Sequence, residues 1–331
     1  LSQLSIQKQL IWANVINEAI DPYIDEIAFT IANLSVQHLE SDFSYTQLVS
    51  ENAELIYDID GDLNYVEVLD YGTSLTDGDY YSTTRYWKED ANGVLQQIEV
   101  PRDIYYWYIV HPKITDEIPS YIDPAHSESN STHNNNIADP PLGMFWRNFL
   151  YNHNDAGYPK LKYMLQNCDI AWNGTNLSAD NAVGATENWI AQSMVFTSDN
   201  ERPHQPVRIY RKHIGRCGEH ADLRAAALRI ALIPGTSILT ISTDHTWNEF
   251  WDEEWIHYDG GSVNNPLLYE NGWGKVHASV FEIRSDGVLN PVSERYSGEY
   301  ATFTMYAFDG EGTPIDGARF ILGVRDGTDI R

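Results

Sequence analysis

Residues 217 to 259 join a helix-forming run to three strand patterns, and that junction sets the fold class. Ala221, Leu223 and the run Ala225 to Leu228 favour helix, Gly218 follows the cysteine at its start, and Pro234-Gly235 supplies a stop. The stretches 236–243, 246–251 and 254–259 are short, rich in β-branched or aromatic residues and separated by turn residues, so each reads as a strand. A helix followed directly by strands packs on the sheet they form, which predicts an α+β core. Cys217 stands at the helix start, and His245 and Asp259 fall on neighbouring strands. A neutral thiol is a poor nucleophile; it needs an imidazole to take its proton and a carboxylate to fix the imidazole's tautomer. The helix dipole adds a bias toward thiolate at position 217. Cys217, His245 and Asp259 are therefore the candidate nucleophile, base and orienting carboxylate.

Other parts of the chain carry mixed patterns. Trp12, Ile16, Ala19, Tyr23, Ile27, Ile31 and Leu34 recur at helical spacing. Asp21-Pro22 interrupts them, which predicts two helices or one kinked helix with Asp21 as N-cap. Alternation in Leu55-Ile56-Tyr57-Asp58 and Tyr65-Val66-Glu67-Val68, with Asp60-Gly61 between them, predicts an antiparallel sheet over 54–110 that ends in an aromatic strand at Tyr105 to Tyr108. Pro119 to Pro141 is rich in Asn and Ser and reads as a linker or a long exposed loop. Helical signals return at Phe145 to Tyr151 and Ala185 to Met194, and two or three strands are expected between Glu299 and Gly323, in Thr302 to Tyr306 and Ala318 to Leu322. The expected organisation is a helix-plus-sheet N-terminal domain at 1–110, a linker or loop at 111–141, the core at 142–297 and a short C-terminal β element at 298–331.

Composition narrows the partners. A formal charge of −27, from 48 acidic and 21 basic residues, repels phosphate backbones and anionic membrane surfaces, so nucleic acid is not an expected partner. Two cysteines exclude a disulfide scaffold and a four-cysteine zinc site. No apolar run reaches the roughly 18 residues a membrane span needs. The chain starts Leu1-Ser2-Gln3 and carries sequons at Asn33, Asn130, Asn173 and Asn176, which together lead to the expectation of a processed chain at an extracellular or cell-surface location, with the cytoplasm as alternative.

The wording around the three residues is more specific than their order. Gly215-Arg-Cys-Gly-Glu219, Asp244-His-Thr-Trp-Asn-Glu249 and Trp255-Ile-His-Tyr-Asp259 resemble the transglutaminase-like superfamily, whose papain-like core puts cysteine on a helix against an antiparallel sheet that bears histidine and aspartate. Pro266-Leu-Leu-Tyr-Glu-Asn-Gly-Trp-Gly-Lys275 and Arg295-Tyr-Ser297 extend the resemblance to the peptide:N-glycanase branch. The resemblance covers residues 208 to 297. Three features depart from that branch: no Cys-x-x-Cys precedes Cys217, position 220 is His rather than Trp, and position 258 is Tyr rather than Cys.

The resemblance implies a cysteine hydrolase that attacks amide bonds of a peptide, protein or glycoprotein substrate through an acyl-enzyme, without a cofactor. Acyl transfer to an amine, as in a cross-linking transglutaminase, and a non-catalytic structural or binding protein at the cell surface are the alternatives. The oxyanion is expected at the backbone N–H of Cys217, with Trp189, Gln205 or Tyr210 as candidate side-chain donors. Trp247, Trp251 and Trp255 are expected to pack between helix and sheet, the other reading being a substrate groove. Glu219 and Glu249 either contact substrate or satisfy neighbouring polar groups. Asp58-Ile-Asp60-Gly61-Asp62 reads as a hairpin turn, since its glycine is misplaced for a calcium loop. His126 and His133 lack the supporting ligands of a metal site, and Cys168 is expected to be a free, buried thiol.

Overall fold

The computed structural model describes residues 1–320 apart from 77, 91, 129–135, 242, 276, 278 and 299–302, together with the backbone of 325–326 and 329–330. Helices α1 (Ile6–Glu18), α2 (Ile24–Asn33), α3 (Val36–Glu40) and α4 (Thr46–Asp60) open the chain. Trp12, Ile27, Ile31 and Leu34 are buried together with Leu39, Val49 and Ala53, as the helical spacing predicts. Asp21 is not an N-cap: Tyr23 holds that place in α2, and the Asp21 carboxylate accepts from the N–H and hydroxyl of Ser74 at 3.3 and 3.0 Å.

The expected sheet over 54–110 is only partly present. Strands β1 (Val66–Tyr71), β2 (Tyr81–Glu89) and β3 (Leu95–Glu99) form an antiparallel meander in the order β1-β2-β3. Leu55 to Asp58 lies in α4, however, because Leu48, Asn52, Leu55, Ile56 and Ile59 make a helical stripe that four residues of apparent alternation conceal. Asp60-Gly61 is the end of that helix rather than a hairpin, with the Gly61 N–H on the Tyr57 carbonyl. The aromatic run is also helical, in α5 (Arg102–Tyr105) continued by a π-type turn at Tyr106–Val110. Its hydroxyls are taken by distant carboxylates, Tyr105 by Glu26 at 2.9 Å, Tyr106 by Asp25 at 2.5 Å and Tyr108 by Glu282.

Much of the segment expected as an exposed loop at 111–141 is packed inside, although His126, Ser127, Asp139 and Pro141 are exposed. Ile114, Thr115, Glu117, Tyr121 and Ile122 are buried, and its backbone is paired, Ile122 with Met144 in both directions and Asp123 N–H with the Asn136 carbonyl. Polar composition misleads here because the segment satisfies its own backbone groups. His133 and Asn130 lie outside the described residues. The guanidinium of Arg147, on α6 (Trp146–Asn152), donates to Asn52 Oδ1, to the Arg229 carbonyl and to the Ile109 carbonyl at 2.9, 2.9 and 2.6 Å. One hydrophobic core accordingly runs from Leu48 and Ile56 through Tyr86, Ile109 and Trp146 to Leu228 and Tyr258.

Beyond α6 come α7 (Leu161–Leu165), α8 (Ala182–Ser193), β4 (Val195–Phe196), α9 (Pro206–Lys212), β5 (Ile214–Gly215) and α10 (Cys217–Ile230). Strands β6 (Gly235–Thr240), β7 (His245–Asp252), β8 (Glu254–Asp259) and β9 (Ser262–Val263) follow, then α11 (Leu268–Trp273), β10 (Val280–Ile283) and β11 (Leu289–Pro291). The main sheet is antiparallel with order β11-β10-β6-β7-β8-β9, and α10 lies on one face of it. On that face Phe250, Ile256 and Tyr258 join the main core; on the other, Trp247 packs with Ile238, Tyr269, Val280, Val292 and Tyr296. The fold class is thus α+β, as predicted. Of the strands expected at Thr302 to Tyr306 and Ala318 to Leu322, none is present over 303–320, which hold only an isolated bridge between Phe308 and Pro314; the β pairing of this end is between β12 (Arg325–Asp326) and β13 (Asp329–Ile330). Phe303, Met305, Tyr306 and Phe308 are exposed, so the alternating pattern there has no sheet among the described residues to bury it. Thr302, Ile321 and Leu322 fall outside those residues.

Candidate active site

The turn that presents Cys217 is built by its neighbours. The Glu219 carboxylate accepts the Arg216 N–H at 2.8 Å and pairs with Arg202, closing the first turn of α10 back on itself. Gly215 is required there, since a Cβ at that position would lie 2.6 Å from the Glu219 Cβ. The Cys217 sulfur then meets three hydrogen-bonding groups: His245 and the backbone N–H groups of Thr246 and Gly218. Burial pushes the thiol up, but these contacts together with the imidazole charge outweigh it and hold the thiol below its ordinary range.

His245 is the first residue of β7 and Asp259 the last of β8, and their side chains meet through Nε2 and Oδ2 at 2.9 Å. That bond leaves Nδ1 for the sulfur. Burial lowers His245, but Asp259 and Cys217 raise it to about 9 overall. Burial likewise raises Asp259, against the imidazole, the charge of Arg224 and the hydroxyl of Tyr269, and the net effect keeps the carboxyl below its usual range. The structure therefore brings all three sequence-chosen residues together, with directions of charge that favour a thiolate beside an imidazolium.

Behind Asp259 lies a buried support that the sequence does not announce. Arg224 on α10 pairs with Glu187 at 2.9 Å, donates to Asn248 Oδ1 at 3.0 Å and lies 4.9 Å from the Tyr258 ring centre. The Tyr258 hydroxyl donates to Glu187 at 3.0 Å, which gives this tyrosine a place in the network. On the open side, Trp273 is 47% exposed with its ring 5.0 Å from that of His245, and Phe196, 69% exposed, lies 5.5 Å from the His220 ring. Trp273 thus lies against the candidate catalytic imidazole, and Phe196 against His220 in the first turn of α10. The resemblance over 266–275 is one of wording; in the structure Tyr269 and Trp273 are the residues of that stretch that contact Asp259 and His245.

Two of the proposed oxyanion side chains donate elsewhere, and the third accepts a backbone bond. Trp189 donates to the Pro159 carbonyl at 3.1 Å, Gln205 to the Ile118 carbonyl at 2.9 Å, and the Tyr210 hydroxyl accepts from the Asp155 N–H at 3.1 Å. Trp247 and Trp251 are buried and Trp255 packs against Tyr108, in agreement with the packing expectation. Glu249 is buried on Arg295 and Tyr296, both at 2.6 Å, so it satisfies polar neighbours, as Glu219 does. Cys168 is free and buried. His126 pairs with Asp123 at 2.7 Å, and among the described residues no cluster of His, Cys, Asp and Glu could hold a metal ion.

A helix N-terminal cysteine packed on an antiparallel sheet that carries histidine and aspartate on adjacent strands defines a papain-like α+β core. Residues 170–260 match the family model of the transglutaminase-like superfamily, so this part of the chain is a transglutaminase-like core. The chain is similar to proteins named peptide-N(4)-(N-acetyl-beta-glucosaminyl)asparagine amidase. It is 30% identical to that of Arabidopsis thaliana over 147 residues, 40% of this chain and 20% of the relative. For Caenorhabditis elegans the figures are 34% over 103 residues, 29% and 16%, and for Yarrowia lipolytica 40% over 87 residues, 25% and 24%. The chain thus spans about a fifth of the length of the curated relatives it matches.

Proposed function

We propose that the chain is a cysteine hydrolase that cleaves amide bonds of glycopeptides or peptides, with Cys217 as nucleophile, His245 as acid and base, and Asp259 as orienting carboxylate. The observation that carries this reading is geometric: Cys217 opens α10, its sulfur meets the imidazole of His245 at the start of β7, and that imidazole is held by Asp259 Oδ2 at 2.9 Å. The names of the similar proteins support a glycopeptide amide as the bond attacked.

In the reaction, the Cys217 thiolate adds to the amide carbonyl, and the backbone N–H of Cys217 meets the developing oxyanion. His245 gives its proton to the leaving nitrogen, the C–N bond breaks and a thioester remains. Water then attacks the thioester with His245 as base and restores the thiol. On a glycosylated asparagine the products are aspartate and a glycosylamine. Trp273 and Phe196 offer apolar faces to whatever flanks the bond.

Mass spectrometry of a glycopeptide and a peptide mixture after incubation tests the reading. Asn converted to Asp with release of the glycan, or shortened peptides, is the expected result, lost by a factor of at least about 10^4 in Cys217→Ala. Joined peptides would replace hydrolysis by acyl transfer, and equal product from Cys217→Ala would overturn the mechanism.

A further inference from the structure

Asp259 Oδ2 accepts two hydrogen bonds, one from His245 and one from the Tyr269 hydroxyl at 3.0 Å. The same hydroxyl lies 2.9 Å from Nε2 of His257, two residues before Asp259 on β8 and on the same face of the sheet. A tyrosine hydroxyl has one hydrogen, so it can donate to Asp259 or to His257 but not to both. The backbone decides which. The Asn265 N–H points at His257 Nδ1 at 3.4 Å, which makes Nδ1 an acceptor and places the hydrogen of the neutral ring on Nε2. His257 then donates to Tyr269, and the tyrosine's own hydrogen is directed at Asp259. The opposite tautomer would set two N–H groups against each other at Asn265 and make His257 Nε2 compete with Asp259 for the tyrosine's one hydrogen.

We propose that His257 is a positioning residue for Asp259, acting through the Tyr269 hydroxyl, so that a directed hydrogen-bond relay runs from the Asn265 N–H through His257 and Tyr269 to Asp259, where it meets the bond that His245, the partner of Cys217, donates to the same oxygen. The loop after β8 is shaped for it. Asn264 adopts the left-handed conformation at φ 50° and its N–H bonds to the His257 carbonyl at 2.9 Å, which brings Asn265 back over the imidazole. The groups around His257 keep its ring neutral: burial lowers it to about 4 and His245 acts in the same direction, against Asp259, while Glu249 is its partner across the strands and the Tyr296 ring lies 6.0 Å away. A ring that stays neutral across the working range of the thiol keeps the relay's direction constant. His257 also lines, with Asn264, Pro266, Glu249 and Arg295, a cleft of about 490 Å³. The His257 ring is itself buried, and the cleft lies directly against it.

The inference rests on the thiol reading above, and a readout that needs no substrate separates the two. The rate of Cys217 alkylation by iodoacetamide is measured against pH in the full chain, in His257→Phe, His257→Gln, His257→Ala and Tyr269→Phe. Loss of the donor in His257→Phe, or of the hydroxyl alone in Tyr269→Phe, frees Asp259 to turn and moves the thiolate limb up by about half to one pH unit. His257→Gln, whose amide can donate to Tyr269, recovers most of the shift, and millimolar imidazole entering the cleft recovers it in His257→Ala. Profiles of folded His257→Phe and Tyr269→Phe that superimpose on the native curve would overturn the relay while leaving the hydrolase reading intact. A native Cys217 that reacts no faster than an ordinary thiol would overturn the hydrolase reading itself.

Discussion

The chain contains two thiols, and burial acts upward on both, yet they end on opposite sides of the ordinary range. Cys168 is fully enclosed, its S–H directed at the carbonyls of Met164 at 3.4 Å and Ala179 at 3.9 Å, with the charges of Asp169 and Asp180 nearby. Burial and those charges push it up to about 12. Cys217 faces two backbone N–H groups and an imidazole, and it is held down. The neighbours of Cys168 accept hydrogen and so keep the thiol protonated; those of Cys217 donate hydrogen and so favour the thiolate. Reactivity in this molecule is set by the direction of the hydrogen bonds around sulfur, more than by its depth.

The largest expected effect breaks or sustains that contrast directly. At pH 7 an ordinary thiol is about 3% thiolate, whereas one displaced to about 12 is about 10^−5 thiolate, so Cys217 should be alkylated at least about 10^3 times faster than Cys168. Peptide mapping after brief treatment with iodoacetamide reads the ratio. Comparable labelling of the two sites in folded protein would remove the basis of the contrast. Next in size is His245→Ala, which removes both a hydrogen bond and a charge from the sulfur. Burial then dominates, and alkylation of Cys217 at pH 7 should fall by about tenfold to a hundredfold. An unchanged rate would assign the low thiol to Thr246 and Gly218 alone.

The same contrast explains what the sequence made legible. Cys217, His245 and Asp259 were readable because the helix, its Pro234-Gly235 stop and the strands are consecutive, so local pattern and site geometry coincide. Tyr269, Arg224 and Glu187 were not, because each acts through a partner far away in the chain and nothing local distinguishes them from other buried polar residues. Fold errors have a similar origin. Tyr105 to Tyr108 carry strand propensity, but carboxylates on α2 and β10 take three of their hydroxyls and fix a helical turn. Leu55 to Asp58 was too short a window to separate a period of two from a helical stripe.

Proton linkage distinguishes the paired thiol from a lone histidine. The folded value of His245 is raised from 6.5 to about 9, so its contribution to stability is full below 6.5 and is lost as pH rises through about 9. Cys217 is lowered from 9.0, so its contribution is present above 9.0 and is lost as pH falls through the folded value. Above 6.5 the folded histidine keeps protons that the unfolded one has lost, and below 9.0 the folded cysteine has lost protons that the unfolded one keeps, so the two slopes have opposite signs and offset each other. Cys217→Ala removes the cysteine slope together with the part of the histidine shift that the sulfur supplies, and leaves the part due to Asp259. The midpoint of the variant should therefore fall, relative to the native protein, by roughly a few degrees from pH 6.5 to 9. Parallel curves for the two proteins would show that the imidazole and thiol do not share a proton in the folded state.

The smallest effect tests the other half of the comparison. Cys168→Ala deletes one sulfur from the main core and leaves a small void between α7 and the turn before α8, where the sulfur met the Met164 and Ala179 carbonyls. A deletion of that size costs about 1 kcal/mol, or roughly 1–2 °C for a chain of this length. Because no hydrogen bond of Cys168 leads to His245 or Asp259, the alkylation profile of Cys217 should superimpose on the native one. A shifted profile would mean that packing around α7 and α8 reaches the sulfur of Cys217, and the two thiols would then have to be treated as one coupled system rather than as opposite cases of a single rule.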